Sequence, residues 1–476
     1  MGVDSSTQST KVEVRDADDG TLVASGRAPH SRTSPPRSEQ DPGEWWHALI
    51  NAIAATGRRD ISAMSVAAQQ HGLVALDGAG AVLRPAKLWN DTESAPEAAR
   101  MVERIGADRW AKATGSVPVA SFTITKLAWL ARHEPRAFER IGTVLLPHDH
   151  LTYRLTGRLV TDRGDASGTG YWSPSNGQWR TDILDRAVGP HPSGSWADKL
   201  PEVLGPTDPS DYTTTSVHDL LGLRGRPLCG PGTGDNMAAA LGVALAPGDV
   251  AISLGTSGVV TAVSERPTAD ASGAVSGFAD ATGRFLPLVC TLNATLATEA
   301  IARVLGVDHE GLGALALAAA PGAGGVVLLP YLAGERTPNR PDATGSLRGL
   351  RTDVTREQVA RAAFEGVACS LLDGLDALGR AGVDTSGRLL LVGGGAHSAA
   401  YRRVFADLSG REFVIPDGDE HVATGACVQA AAVLGGTTPG AVGAAWGLGD
   451  GVVVEPSARV DRKAIRAAYA AVRDRP

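Results

Sequence analysis

The chain opens twice in the same way, and that repetition narrows its fold more than any other feature. Gly2 to Asp16 sets Val3, Val12 and Val14 around a polar centre of serines and threonines, Asp18-Asp19-Gly20 makes a turn, and Thr21 to Ala28 returns as a strand. Further on, Ala251-Ile252-Ser253-Leu254 runs into Gly255-Thr256-Ser257-Gly258 and back out through the apolar Val259 to Val263. Two hairpins with hydroxyl-rich tips, each heading half of a 476-residue chain, predict an internal duplication. The chain is also too long for one hydrophobic core, so two domains are expected.

Helices between the hairpins are marked by their caps. Asp41-Pro42-Gly43-Glu44 reads as an N-cap, a proline at the first helical position and a capping-box acid, leading into Trp45, Leu49, Ile50 and Ile53. Thr355 to Gln358 is a second capping box, followed at helical spacing by Val359, Ala363, Val367, Leu371, Leu375 and Leu378. Strands and helices alternate in both halves, which predicts an α/β fold with mixed sheets, divided near Leu241 to Gly248. The expected domains are residues 1–244 and 245–476.

With 43% hydrophobic and 20% charged residues the chain has apolar surface enough to offset the entropy of ordering. A net charge of -7 offers no broad basic face, which excludes nucleic acid as a main partner. Cys229, Cys290, Cys369 and Cys427 form no C-x-x-C pair, so neither a zinc site nor a disulfide framework is expected. Met1 leads directly into a strand, with no basic stretch followed by an apolar one, and a cytoplasmic location is expected. The uncharged run Gly313 to Gly334 is interrupted by Pro321 and Pro330 and reads as a buried helix, a loop and a buried strand, with no membrane span.

Four small-residue segments can carry chemistry. Asp4-Ser5-Ser6-Thr7-Gln8-Ser9-Thr10-Lys11 places a carboxylate beside clustered donors, suited to a metal-bound phosphate, although a Ser/Thr-rich turn accounts for the same residues. Gly255-Thr256-Ser257-Gly258 offers bare backbone and a hydroxyl, or simply a hairpin turn. Leu389 to Val392 followed by Gly393-Gly394-Gly395-Ala396 and a helix to about Leu408 admits a nucleotide, or a strand packed closely on a helix. Gly232-Thr233-Gly234-Asp235-Asn236 sets an aspartate before the helix Met237 to Ala244, where it can deprotonate a hydroxyl attacking phosphorus; taken alone, a plain N-cap explains it more simply. The chain contains no Gly-Lys dipeptide, so a P-loop is absent, and neither H-E-x-x-H nor G-x-S-x-G occurs.

In this order and spacing the segments resemble the FGGY family of carbohydrate kinases, and its xylulokinase branch most closely, from about Gly2 to Gly435. The stretches that carry the likeness are Gln70-His71-Gly72, Leu88-Trp89-Asn90-Asp91, Leu146 to Leu151, Asp165 to Thr169, Gly234-Asp235-Asn236 and Ser253 to Gly258. The resemblance implies two actin-like, ribonuclease-H-like lobes with a catalytic cleft between them, sugar bound mainly by the first and ATP by the second. It implies that Asp235 is the general base and that Asp4 faces Mg2+ through water. It assigns Gln70, His71, Trp89 and Asn236 to the sugar, and Ser6, Thr7, Lys11, Gly255, Thr256, Gly394 and Gly395 to ATP.

Within that resemblance some positions keep a second reading. His71 is expected to bind a sugar hydroxyl and not to move protons, Trp89 either walls the sugar or fills core, and Glu335 with Arg336 lies at the cleft or forms a structural ion pair. Two residues depart from the family pattern: Ser6 stands where the first loop usually has glycine, which implies a shift of the phosphates, and Gln70 stands for methionine, which adds a donor and an acceptor beside the sugar. The implied reaction is phosphorylation of D-xylulose by ATP, by a homodimer. The alternatives are a kinase for L-ribulose, L-fuculose, gluconate or glycerol, or a nucleotide-regulated binding protein without kinase activity.

Overall fold

The computed structural model describes residues 1–475 and divides the chain into two compact units. The first contains 1–244 together with 265–286 and 420–448; the second contains 245–264, 287–419 and 449–476. The chain first passes from one unit to the other between Ala244 and Leu245. Two later segments rejoin the first unit, a return that no local composition announces.

The first unit is built on a mixed sheet whose strands run in the order Leu22–Pro29, Ser9–Arg15, Gly2–Ser5, Ala63–Ala68, Leu228–Cys229, Asp211–Tyr212. Its first three strands are antiparallel neighbours, Gly2–Ser5, Ala63–Ala68 and Leu228–Cys229 are parallel, and the last pair is antiparallel again. In the second sheet the order Phe285–Thr291, Gly258–Ala262, Val250–Leu254, Leu389–Val392, Phe413–Pro416, Gly451–Val454 repeats the strand senses throughout and the chain order of the first four strands, while the outer two follow one another in the opposite chain order. This is the duplication that the two hairpins predict, on the ribonuclease-H-like plan that the resemblance implies.

The capped helices form where the sequence places them. Asp41 accepts the Gly43 N–H at 2.8 Å and starts the helix Pro42–Ala55, whose Trp45, Leu49, Ala52 and Ile53 are buried against the first sheet. Trp45 Nε1 donates to Gln40 Oε1 at 2.8 Å, and Gln40 Nε2 donates to the carbonyls of Thr7 (2.9 Å) and Ser31 (2.7 Å). A core indole therefore steadies the loop after the first strand. The helix Arg356–Arg380 opens with the reciprocal Thr355–Gln358 capping box and buries Val367, Leu371 and Leu378. Residues 313–334 contain the end of the helix His309–Ala318, a turn and the strand Val327–Leu329. Among the described residues no helix is long and apolar enough to cross a membrane.

The tightest helix contact joins Asp235–Gly242 to His421–Gly435, and glycine makes it possible. A Cβ on Gly425 would lie 1.8 Å from the Ala238 carbonyl oxygen, and one on Gly242 would lie 1.9 Å from that of His421. Backbone cannot yield as a side-chain tip does, so Gly425→Ala is expected to lower the unfolding free energy by about 2 kcal/mol or more, through forced separation of the two helices. Equilibrium denaturant unfolding measures it; a variant as stable as the parent would show that the contact relaxes freely.

Candidate active site

In the first unit, three loops leave the carboxyl ends of neighbouring parallel strands, the place where open α/β sheets gather ligands. Asp4 lies near the end of Gly2–Ser5, Gln70 and His71 follow Ala63–Ala68, and Asp235 follows the two-residue strand Thr233–Gly234, which pairs with Ala67–Ala68. The topology thus collects residues separated by more than 200 positions.

Asp235 is the first residue of its helix, which begins two residues earlier than the sequence suggests. Gly234 is the N-cap, and the Asp235 Oδ1 accepts from its neighbour Asn236 through N (2.8 Å) and Nδ2 (2.9 Å). Asp235 is therefore not the N-cap that the sequence suggests, although its carboxylate does take one first-turn N–H. Asp235 keeps a partial route to solvent, yet the walls around it desolvate the carboxylate, and the charge of Asp4 adds to this, so its pKa is raised to about 7. Asn236 Nδ2 also donates to Gln70 Oε1 at 2.8 Å, joining base and amide in one array. Gln70 Nε2 is buried and finds no partner among the described residues, the kind of donor a bound ligand satisfies.

Asp4 is almost fully buried, and burial raises its pKa to about 6 even though Ser6 Oγ donates to its Oδ1 at 2.6 Å. Ser6 thus turns its side chain onto Asp4. Lys11, the cross-strand neighbour of Asp4, stands 3.9 Å from Oδ2 and gives its close ion pair, 2.6 Å, to Glu420. Two carboxylates that disfavour one another's ionisation, with the nearest ammonium held by another partner, make a hard-oxygen site short of positive charge. That donor set fits Mg2+.

His71 sits at φ +67°, and its Nδ1 donates to the Gly168 carbonyl at 2.7 Å while the ring stacks on Phe122 (centroids 4.9 Å apart) and meets Phe278 at 5.6 Å. The ring is thus held from three directions. Trp89 is 39% exposed, so it does not fill core; its Nε1 donates to Thr7 Oγ1 at 2.9 Å, placing the indole against the first loop. The adjoining Asp91 serves the scaffold, since together with Glu39 and Glu93 it converges on the buried Lys87 ammonium: Glu39 at 3.1 Å, Asp91 at 3.1 Å and Glu93 at 2.6 Å.

In the second unit the parallel pair Val250–Leu254 and Leu389–Val392 brings two glycine-bearing turns together. Gly255 and Thr256 are exposed at the hairpin tip, where their carbonyls take the N–H groups of Thr295 and Ala294. Gly393 has φ +83°, and a Cβ on Gly395 would lie 2.7 Å from that of Leu254, whereas Gly394 faces open space. Gly393 and Gly395 are thus demanded by packing, and Gly394 presents backbone. Glu335 is buried, with burial raising its pKa; its carboxylate takes N–H groups from Leu292, Asn293 and Arg336, and among the described residues it forms no ion pair with the Arg336 guanidinium.

Sequence reasoning misses Glu420, Phe122 and Phe278, whose approach depends on chain reversals that carry no spacing signal. Leu146 to Leu151 and Asp165 to Thr169 stand out in the sequence, but nothing there shows that His148, Asp149, Asp162 and Asp165 form one buried ionic cluster. Acidic and imidazole side chains within otherwise buried helical patterns were the available clue.

Residues 1–242 match the N-terminal domain, and residues 250–434 the C-terminal domain, of the FGGY family of carbohydrate kinases. The chain is 49% identical over 458 residues to a xylulose kinase from Streptomyces rubiginosus, covering 96% of this chain and 92% of that protein. The crystal structure of a xylulose kinase from Bifidobacterium adolescentis superposes with TM-score 0.86 at 43% identity, covering 99% and 98% of the two chains. A gluconate kinase from Lactobacillus acidophilus gives TM-score 0.92 at 24% identity over 99% and 97%, a likeness of fold alone.

The raised pKa of Asp235 has a consequence for stability. Folded, this group titrates near 7, while an unfolded aspartate titrates at about 3.9, so between these values the folded chain binds more protons and loses stability as pH rises. In chelator and without nucleotide, Asp235→Asn is expected to melt at a higher temperature than the parent at pH 8, with the margin narrowing towards pH 4. A margin that does not change with pH would contradict the assignment.

Proposed function

The chain belongs to the FGGY family of carbohydrate kinases and is a sugar phosphotransferase, and we propose that it phosphorylates D-xylulose at O5 with ATP, using Asp235 as the general base. The observation that carries this reading is the Asp235 carboxylate: partly exposed, outside the N-cap position of its helix, and raised to about 7, where it is both ionised at working pH and basic enough to take a hydroxyl proton. The high identity to xylulose kinases favours xylulose over gluconate, whose kinase shares only the fold.

In this reading Gln70, His71 and Asn236 hold the sugar hydroxyls, with the buried Gln70 Nε2 supplying a donor for one of them. Trp89 walls the sugar from its position against the first loop. Asp4 would hold Mg2+ through water, and the ion would supply charge neutralisation at the phosphates. Ser6 orients the Asp4 carboxylate, and Thr7 with Lys11 presents donors to phosphate oxygens. Thr256 and Gly255 offer a hydroxyl and bare backbone to ATP, and Gly394 with Gly395 accommodates the adenosine side, Gly394 through its open backbone. A homodimer and a cytoplasmic location complete the reading, supported by the family likeness; sedimentation at assay concentrations tests the dimer.

Sugar-dependent ADP release over a panel of ketoses, aldoses and polyols tests the function. D-xylulose is expected to give the strongest signal, and Asp235→Ala is expected to lose turnover by about 10²–10⁴-fold while still binding sugar. Parent turnover is expected to fall as pH drops through a value at or below about 7, because a metal bound nearby favours the ionised carboxylate. Activity confined to another sugar would move the substrate and keep the chemistry; near-normal turnover in Asp235→Ala would remove the base. Gln70→Leu is expected to raise the sugar KM roughly tenfold, with the ATP KM unchanged, through loss of the amide array.

A further inference from the structure

Leu146 to Leu151 and Asp165 to Thr169 supply no group that touches a substrate in the proposed reaction, yet they converge beside the base. His148 is fully buried, with Nε2 at 3.0 Å from Asp149 Oδ1, 3.4 Å from Asp165 Oδ2 and 3.5 Å from Asp162 Oδ1. Burial alone would push the imidazole down, but the three carboxylates outweigh it and hold its pKa well above the ordinary value. Asp162 is fixed in its turn: Oδ2 accepts the Gly164 N–H and Oδ1 the Asp165 N–H, each at 2.9 Å, and the strand Val160–Asp162 pairs with Glu202–Leu204.

This cluster grips the segment that delivers Asp235. Thr233 Oγ1 donates to Asp162 Oδ2 at 2.8 Å, and Thr233 is completely buried. In Gly232-Thr233-Gly234 it is the only residue with a side chain beyond Cα, so it alone can anchor those two residues of strand by anything other than backbone. Gly232, at φ +79°, lies directly over the imidazole: a Cβ there would be 2.5 Å from His148 Nδ1. The next residue after Gly234 is Asp235, so a small rotation of this glycine-flanked strand moves the carboxylate relative to its target.

We propose that Thr233 and Asp162 are positioning residues for Asp235, anchored by the buried His148–Asp149–Asp165 cluster. The proposal rests on the reading of Asp235 as the base. Strand pairing with Ala67 and Ala68 fixes one edge of the segment, and the Thr233–Asp162 hydrogen bond fixes its rotation. A base displaced by about 1 Å loses turnover without losing substrate affinity, since neither Thr233 nor Asp162 belongs to the set that holds sugar or ATP.

The test compares Thr233→Val, which keeps the shape and removes the hydroxyl, with Thr233→Ser, which keeps the hydroxyl, and with Asp235→Ala. Thr233→Val is expected to lower kcat by about tenfold to hundredfold while the KM values for sugar and ATP stay within about threefold. Thr233→Ser is expected to recover most of the parent kcat. Should Thr233→Val fail to fold, Thr233→Ala removes the hydroxyl without adding bulk and is read in the same way. Parent-like kcat in the folded Val or Ala variant, or loss of folding in both beside a folded Ser variant, would overturn the proposal. If Asp235→Ala itself turns over normally, the base reading has failed; if Asp235→Ala is inactive while Thr233→Val is unimpaired, only the positioning role has failed.

Discussion

The parallel pairing of Gly2–Ser5 with Ala63–Ala68, and of Ala67–Ala68 with Thr233–Gly234, is the constraint on which the first unit's chemistry depends. Parallel strands end on the same side, so pairing three of them places the following loops together whatever the intervening chain does. More than 150 residues separate Ala68 from Thr233, and none of that length alters the register that sets Gly234 opposite Ala68. Side-chain identity then decides what the assembled edge can do: a carboxylate near the end of the first strand, an amide and an imidazole after the second, and a carboxylate after the third.

Two carboxylates gathered in a desolvated place oppose folding, and the structure bears that opposition where function needs it. Asp4 and Asp235 each titrate well above the ordinary carboxylate range, and burial is the leading cause for both. Lys11 could relieve Asp4 but bonds Glu420 more closely. The same unit handles its other acids differently. Lys87 neutralises Glu39, Asp91 and Glu93, and His148 sits among Asp149, Asp162 and Asp165. Buried charge is paired at the scaffold and left short of positive charge at the edge that bears Asp4 and Asp235, the distinction expected if a metal ion and a proton are to arrive with the substrates.

The duplicated fold, its capped helices and the four small-residue turns were legible because each is written in local pattern: alternation in Val12 and Val14, the cap at Asp41, the box at Thr355, the glycines of 393–395. The helix at Asp235 begins earlier than its apolar run because an acid and an amide occupy its first turn, where they carry no hydrophobic signal. The discontinuous units, the Lys11–Glu420 pair and the packing of Phe278 on His71 were not legible, since each joins residues over long separations through sheet topology alone. Trp89 shows the intermediate case: its motif left wall and core open, and only exposure and the bond to Thr7 exclude the core.

One sheet plan used twice yields two kinds of edge, and the difference lies in the loops. After the first unit's parallel strands come Asp4, Gln70 and Asp235, side chains that can hold a cation, bind a hydroxyl or take a proton. After the second unit's come Gly255, Thr256 and Gly393 to Gly395, which offer backbone and one hydroxyl and no titratable group. A phosphoryl donor already carries several negative charges, so a carboxylate among these turns would repel it, whereas backbone N–H groups and a hydroxyl accept it without altering their own charge. The acceptor sugar is neutral and must lose a proton, which requires a base that backbone cannot supply. An acidic edge beside a glycine-rich one is the division of labour that the proposed phosphoryl transfer would require, and Gly393 and Gly395, fixed by packing on Leu254, help keep the second edge free of side chains.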